Sequence, residues 1–139
     1  MYSFSIKLPG CKSSVQQIDK FCDQCLQLLN FSKHRKILFA IHEAVINAVA
    51  VHEQIFASAE NNEDINVDII ANPKEIIVKV IDCGSGMSEE HFNDYTELAV
   101  TDQYNDRGRG LLFIEKFTDH LKFENLPNGK FCVTLHFLN

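Results

Sequence analysis

The chain predicts an α+β fold of two layers, with a mixed, mostly antiparallel sheet covered by helices on one face. Three observations lead there. One alternating run precedes two stretches with apolar residues at helical spacing. Two runs rich in Ile and Val follow, split by a short turn. After a long polar stretch and a short helix, a second pair of strand-like runs closes the chain. With 139 residues, residues 1–139 are expected to form a single domain large enough for its own core.

The elements follow in order. Tyr2 to Leu8 alternates in polarity and reads as a strand, stopped by Pro9-Gly10. Ser13 or Ser14 is a candidate cap for the first helix, in which Val15, Ile18, Phe21, Cys22, Cys25, Leu26 and Leu29 recur at helical spacing to about residue 30. Ser32 is the candidate cap for a longer helix from about Lys33 to Ala57, whose apolar face is Ile37, Leu38, Ile41, Val45, Ala48, Val49 and His52. Ile65 to Ile70 and Glu75 to Ile81 read as a hairpin around Ala71-Asn72-Pro73-Lys74. Residues from about Ser85 to Asp106 are polar and weakly patterned, and loops of that length are usually functional or disordered. Gly108 to Phe117 predicts a short helix. Strands at about Leu121 to Glu124 and Lys130 to Phe137, turning at Pro127-Asn128-Gly129, complete the sheet.

Composition narrows the function. An apolar fraction of 45% and a charged fraction of 23% are ordinary for a globular protein. A net charge of -6 argues against sequence-independent binding of nucleic acid. No signal peptide and no run of membrane-spanning length is visible, so a cytoplasmic location without membrane attachment is expected. The five cysteines read as reduced thiols. Cys22-Asp-Gln-Cys25 has metal-ligand spacing, but both cysteines lie on the apolar stripe of a helix and no second pair follows, which favours core packing. Lys33-His34-Arg35-Lys36 reads as a solvated basic face, with contact to an acidic partner as the alternative.

Three short segments carry the chemistry. In Glu43-Ala-Val-Ile-Asn47 the carboxylate and the amide are four residues apart and share one helix face, with small Ala44 and Ala48 beside them. Asn47 offers a hard oxygen ligand for magnesium, and Glu43 can accept a proton from an attacking hydroxyl. In Asp82-Cys-Gly-Ser-Gly86 a carboxylate ends an Ile/Val strand, where it can accept from the exocyclic amine of adenine. Gly84 and Gly86 allow close approach by a flat base. In Gly108-Arg-Gly110 two glycines open a helix whose free amides suit phosphate oxygens, and Arg107 and Arg109 flank them. Val80 to Asp106 contains no Lys or Arg, while Glu89, Glu90, Asp94, Glu97, Asp102 and Asp106 are acidic. Magnesium, Arg107 and Arg109 are then the nearest sources of positive charge for a triphosphate. Taken singly, each segment also fits a plain structural role: a polar helix stripe, a strand-ending turn, a solvated cap.

Together and in this order, the segments resemble the N, G1 and G2 boxes of the GHKL ATPases (gyrase, heat-shock chaperone, histidine kinase, MutL), over about Ser32 to the C-terminus. The resemblance implies a two-layer sandwich of the Bergerat, or histidine kinase-like ATPase, type, with a nucleotide lid at about Ser85 to Asp106. Within that family the short chain and its N-terminal strand-helix unit are similar to bacterial anti-sigma factor serine-protein kinases. That implies ATP and magnesium as cofactors, a sigma factor and an antagonist protein as partners, phosphorylation of Ser or Thr on the antagonist, and a homodimer. By the same resemblance Glu43 is the catalytic base, with Arg107 contacting the γ-phosphate. Asn47 is the magnesium ligand, Asp82 with Gly84 and Gly86 forms the adenine pocket, and Gly108, Arg109 and Gly110 hold phosphate.

Three positions depart from the family pattern. Val51 stands four residues after Asn47 where a His is common, with His52 one place later. Gly129-Lys130 replaces the usual Gly-Thr, and the lid that the resemblance implies is acidic. A second reading is therefore a partner-switching binding module with little or no phosphoryl transfer. A third, ranked below these, is a detached ATPase domain of a histidine kinase.

Overall fold

The computed structural model describes residues 1–56, 62–84 and 113–139. Strand β1 (Tyr2–Pro9) leads into helices α1 (Lys12–Leu29) and α2 (His34–Ile55). They are followed by β2 (Asp64–Asn72), β3 (Glu75–Asp82), β4 (His120–Asn125) and β5 (Phe131–Leu138). Residues 113–117 are helical. The five strands form one sheet in the order β1-β2-β3-β5-β4. Every pairing among them is antiparallel, in keeping with the mostly antiparallel sheet expected.

The period-2 alternation of strand side chains decides which residues meet the helices. Register aligns Phe4, Ile69, Val78, Leu135 and Leu121 in one row across the sheet, and Ile6, Val67, Val80, Val133 and Phe123 in the next. These rows pack on Ile18, Cys22 and Leu26 of α1, on Ile37, Ile41, Val45 and Val49 of α2, and on Ile114. Full burial of an Ile, Val or Leu side chain contributes about 1.5–3 kcal/mol over leaving it exposed, so this face holds the layers together. The opposite face is more polar, although Ile70, Ile77 and Ile81 also lie on it. Asp68, Lys79, Thr134 and Lys122 align there, Ser5 donates to Asp68 at 2.6 Å, and His136 meets Glu75 at 2.7 Å.

The helices also grip one another. His42 pairs with Asp19 at 2.8 Å and His34 with Asp23 at 2.6 Å, each linking α2 to α1. Cys22 and Cys25 are buried in the core between sheet and helices, as their place on the apolar stripe predicts. Burial pushes the Cys22 thiol up to about 12, so it stays protonated.

The expected helix caps are corrected. Cys11, not Ser13 or Ser14, occupies the N-cap of α1, and Lys33, not Ser32, occupies that of α2; neither caps through its side chain. Ser32 instead reaches Asn139 at 3.4 Å. Helix α1 ends on Asn30 in the left-handed region at φ 54, where its N–H bonds back to Leu26 and Gln27. The basic run is partly engaged rather than wholly solvated. Lys33 donates to the Leu138 carbonyl at 3.3 Å, and Arg35 lines a shallow groove with Asp19, Leu38, Phe39 and His42.

Candidate functional site

The site begins with a consequence of strand geometry. Ile76, Val78, Val80 and Asp82 alternate along β3, so Asp82 points to the same face as three core residues. It is only 5% exposed. Burial pushes the Asp82 carboxyl above the ordinary carboxylate range, while the hydrogen bond from the Gly84 N–H opposes that rise. Its Oδ1 accepts from the Gly84 N–H at 2.8 Å. Among the described residues this is the only hydrogen bond to that carboxylate.

The Gly84 turn lies hard against α2. A Cβ at Gly84 would sit 2.2 Å from Cγ1 of Val51, a separation no packed structure tolerates. Glu43, Asn47 and Val51 succeed one another at four-residue intervals and so form one stripe of α2. Contact of Val51 with the turn aims that stripe at the end of β3. Glu43 and Asn47 are both half-buried on it.

Asn47 carries the clearest mark of a missing partner. Its Nδ2 is buried and, among the described residues, has no hydrogen-bond partner. Buried donors without acceptors are rare because each forfeits about 1–3 kcal/mol of hydration. A half-turn of the amide exchanges nitrogen and oxygen, so the position offers either a donor to a phosphate oxygen or a carbonyl oxygen to a hard cation.

His52 is wholly buried. Its Nε2 accepts from the Cys83 N–H at 2.9 Å, and its Nδ1 lies 2.8 Å from Oδ1 of Asn62. Nε2 as acceptor places the proton of a neutral ring on Nδ1, which donates to Asn62. The apolar-face position expected for His52 is therefore correct, but its ring also reaches the glycine turn. Spacing from Asn47 gave no sign of this, because Asn62, Gly10 and Cys83 come from distant parts of the chain.

A family model for the histidine kinase-like ATPase domain matches residues 11–137. The chain belongs to that family. Its fold is similar to the RsbU and RsbW domains of Rv1364c from Mycobacterium tuberculosis (TM-score 0.66, 18% identity). That match covers 99% of this chain but only 33% of the other. It is also similar to the SiaB-SiaC complex from Pseudomonas aeruginosa (TM-score 0.69, 14% identity), covering 96% of this chain and 88% of that one. At these identities the likenesses establish the fold. No curated protein matches the sequence.

Val51 of α2 thus meets the Gly84 turn that follows Asp82, and Asn47 and Glu43 stand one and two turns earlier on the same helix stripe. Gly86, Arg107, Gly108, Arg109, Gly110 and the acidic stretch from Ser85 to Asp106 lie outside the described residues. Lys130 is exposed at the turn before β5. Burial pushes the Cys83 thiol up, and the Lys130 ammonium is near enough to work against it. Thr134 faces the opposite side of the sheet beside Lys79 and Lys122, where it cannot stand in for a residue near Asp82. The described residues contain no cluster of three or more His, Cys, Asp or Glu able to hold a metal ion. An Asn-held magnesium that relies on phosphates and waters needs no such cluster. No helix among the described residues is long and apolar enough to cross a membrane.

Proposed function

We propose that this histidine kinase-like ATPase domain binds ATP with magnesium and transfers the γ-phosphoryl group to a Ser or Thr of a partner protein. In this reading the partner is an antagonist of an anti-sigma activity, and the domain also holds a sigma factor, in the cytoplasm and as a homodimer. One observation supports nucleotide binding above the rest. A buried carboxylate stands at the end of β3, and on the helix stripe that meets the following turn the Asn47 Nδ2 is buried without a partner among the described residues.

Each residue's part follows from its chemistry. Asp82 accepts from the adenine amine, and Gly84, which carries no Cβ, lets the turn that holds Asp82 lie against Val51 of α2. Asn47 would hold magnesium, which when bound draws negative charge from the phosphates. Glu43, one turn earlier on α2, accepts the proton of the attacking hydroxyl. Arg107, Gly108, Arg109 and Gly110 are assigned to the phosphates, and Gly86 to the base, by family resemblance. The likeness to SiaB, solved with SiaC, supports a protein as the other substrate.

A second reading, a partner switch with little phosphoryl transfer, is favoured by Lys130. An exposed ammonium at the turn before Phe131, which pairs with Asp82, replaces the hydroxyl the family usually places there.

Calorimetric titration with ATP and magnesium tests the site. Wild type is expected to bind, while Asp82→Asn loses a charge-assisted hydrogen bond of about 1.5–3 kcal/mol, or roughly ten- to a hundredfold in affinity. Asn47→Ala loses the magnesium-dependent part of binding. Glu43→Ala binds ATP but does not phosphorylate a candidate antagonist. Absent wild-type binding, or Asp82→Asn binding as wild type, refutes nucleotide recognition. Transfer undiminished in Glu43→Ala refutes the base, and absent wild-type transfer with intact binding selects the second reading.

A further inference from the structure

We infer that His52 is a positioning residue for adenine recognition, holding the Asp82-Cys83-Gly84 turn through the Cys83 amide; the inference rests on the ATP-binding reading above. The bonds run in one direction. Asn62 Nδ2 donates to the Gly10 carbonyl at 2.8 Å, which fixes the orientation of the Asn62 amide. Its Oδ1 then faces His52 Nδ1 at 2.8 Å and can only accept. His52 Nε2 is left to accept from the Cys83 N–H at 2.9 Å. The network therefore selects one tautomer of the ring.

The ring has no room to move. A Cβ at Gly10 would lie 2.2 Å from its Nδ1 and 2.7 Å from its Cγ. Phe56 meets it edge-on with ring centroids 5.2 Å apart. Gly10 is itself tied to the chain before β2, its N–H donating to the Glu63 carbonyl at 3.0 Å.

The held group matters because of where it lies. The Cys83 N–H shares a planar peptide unit with the Asp82 carbonyl, so fixing the one fixes the other. Cys83 also separates Asp82 from Gly84, whose N–H orients the carboxylate. Past the last residue of β3, α2 supplies an acceptor for the turn through this ring. Without it the carboxylate keeps its charge but loses the direction that distinguishes an amine from a carbonyl on a purine. His52 touches no reacting atom; its effect belongs to base selectivity.

The experiment measures Kd for ATP and for GTP, each with magnesium, for wild type, His52→Gln, His52→Phe and Gly10→Ala, with melting temperatures recorded alongside. Gln offers an oxygen where Nε2 stood, so the ATP preference should stay within about threefold of wild type. Phe keeps the bulk but leaves the Cys83 N–H without its acceptor, and the preference should fall at least about tenfold. Gly10→Ala pushes on the ring from its Nδ1 side and should lower the preference likewise. Nitrogen chemical shifts of wild-type His52 should show an unprotonated Nε2 and a protonated Nδ1, a readout that needs no variant to fold. A preference unchanged in both Phe and Ala variants, a Gln variant as impaired as Phe, or a protonated Nε2 in wild type overturns the inference while leaving ATP binding intact. Wild type binding neither nucleotide, or both equally, overturns the ATP reading and this inference with it.

Discussion

At the end of β3 the Asp82 carboxyl is nearly buried, and burial pushes its pKa above the ordinary carboxylate range. An acid whose pKa is higher folded than unfolded binds more protons when folded. Its contribution to stability is therefore most favourable at low pH and declines as pH rises from the unfolded value through the folded one. At neutral pH the charged form carries its full desolvation penalty. Asp82→Asn keeps an oxygen for the Gly84 N–H and removes the charge. Its melting temperature is expected to exceed wild type at pH 7, with the difference disappearing below about pH 3.9, the ordinary Asp value, where both side chains are neutral. Thermal melts of the two proteins across that range check the sign. A variant no more stable than wild type at pH 7 would mean the carboxylate is better compensated than its surroundings indicate. Asp82 could be read as functional in the sequence because it ends an apolar strand before a glycine turn. Its burial was legible too, since period-2 alternation from Ile76 through Val80 already points position 82 inward.

Helix α2 and the glycine turn act as a pair of elements whose contact depends on two small features. Gly84 has no Cβ, and Val51 fills the space one would take. Valine on a helix has little χ1 freedom, so it cannot swing aside. Gly84→Ala is expected to destabilise the fold by about 1–3 kcal/mol, the usual result of overpacking. Val51→Ala opens a small cavity and costs about 1 kcal/mol. The double variant should be more stable than the sum of the two implies, because each change relieves the other; denaturant unfolding of all four proteins measures that coupling. Additive effects would separate the turn from α2. The Glu43–Asn47 stripe was legible from spacing alone. Val51 was not, because an apolar residue one turn further carries no polar signal, and only the approach of Gly84 gives it meaning. The helix starts were misread for a related reason. Ser13, Ser14 and Ser32 are good caps in isolation, but where a helix begins is decided by how the chain leaves β1 and docks the second helix, which local propensity does not contain.

Across the whole molecule, strand existence and the inward face were readable, while the strand order β1-β2-β3-β5-β4 was not. Order is decided by long-range pairing, such as β5 lying between β3 and β4, and hairpin patterns reveal only neighbours. The His52 network fails to show in the sequence on the same account, since Gly10, Asn62 and Cys83 meet only after the sheet forms. A site assembled from separate elements makes a global prediction. A ligand that bridges α2 and β3 binds the folded chain alone, so saturation stabilises the entire domain by linkage. At a hundred times Kd the gain is about 2.7 kcal/mol. For a domain near this size each kcal/mol raises the melting temperature by about 2–4 °C, giving a shift of roughly 5–11 °C for ATP with magnesium. Chelating the metal should shrink that shift. Asp82→Asn, though more stable when empty, should gain little from the same nucleotide concentration, so the two proteins should exchange rank between the empty and loaded states. A carboxylate kept only for packing or for the turn would show the first difference without the second. The crossing of the two melting curves therefore distinguishes a residue retained for its ligand from one retained for the fold.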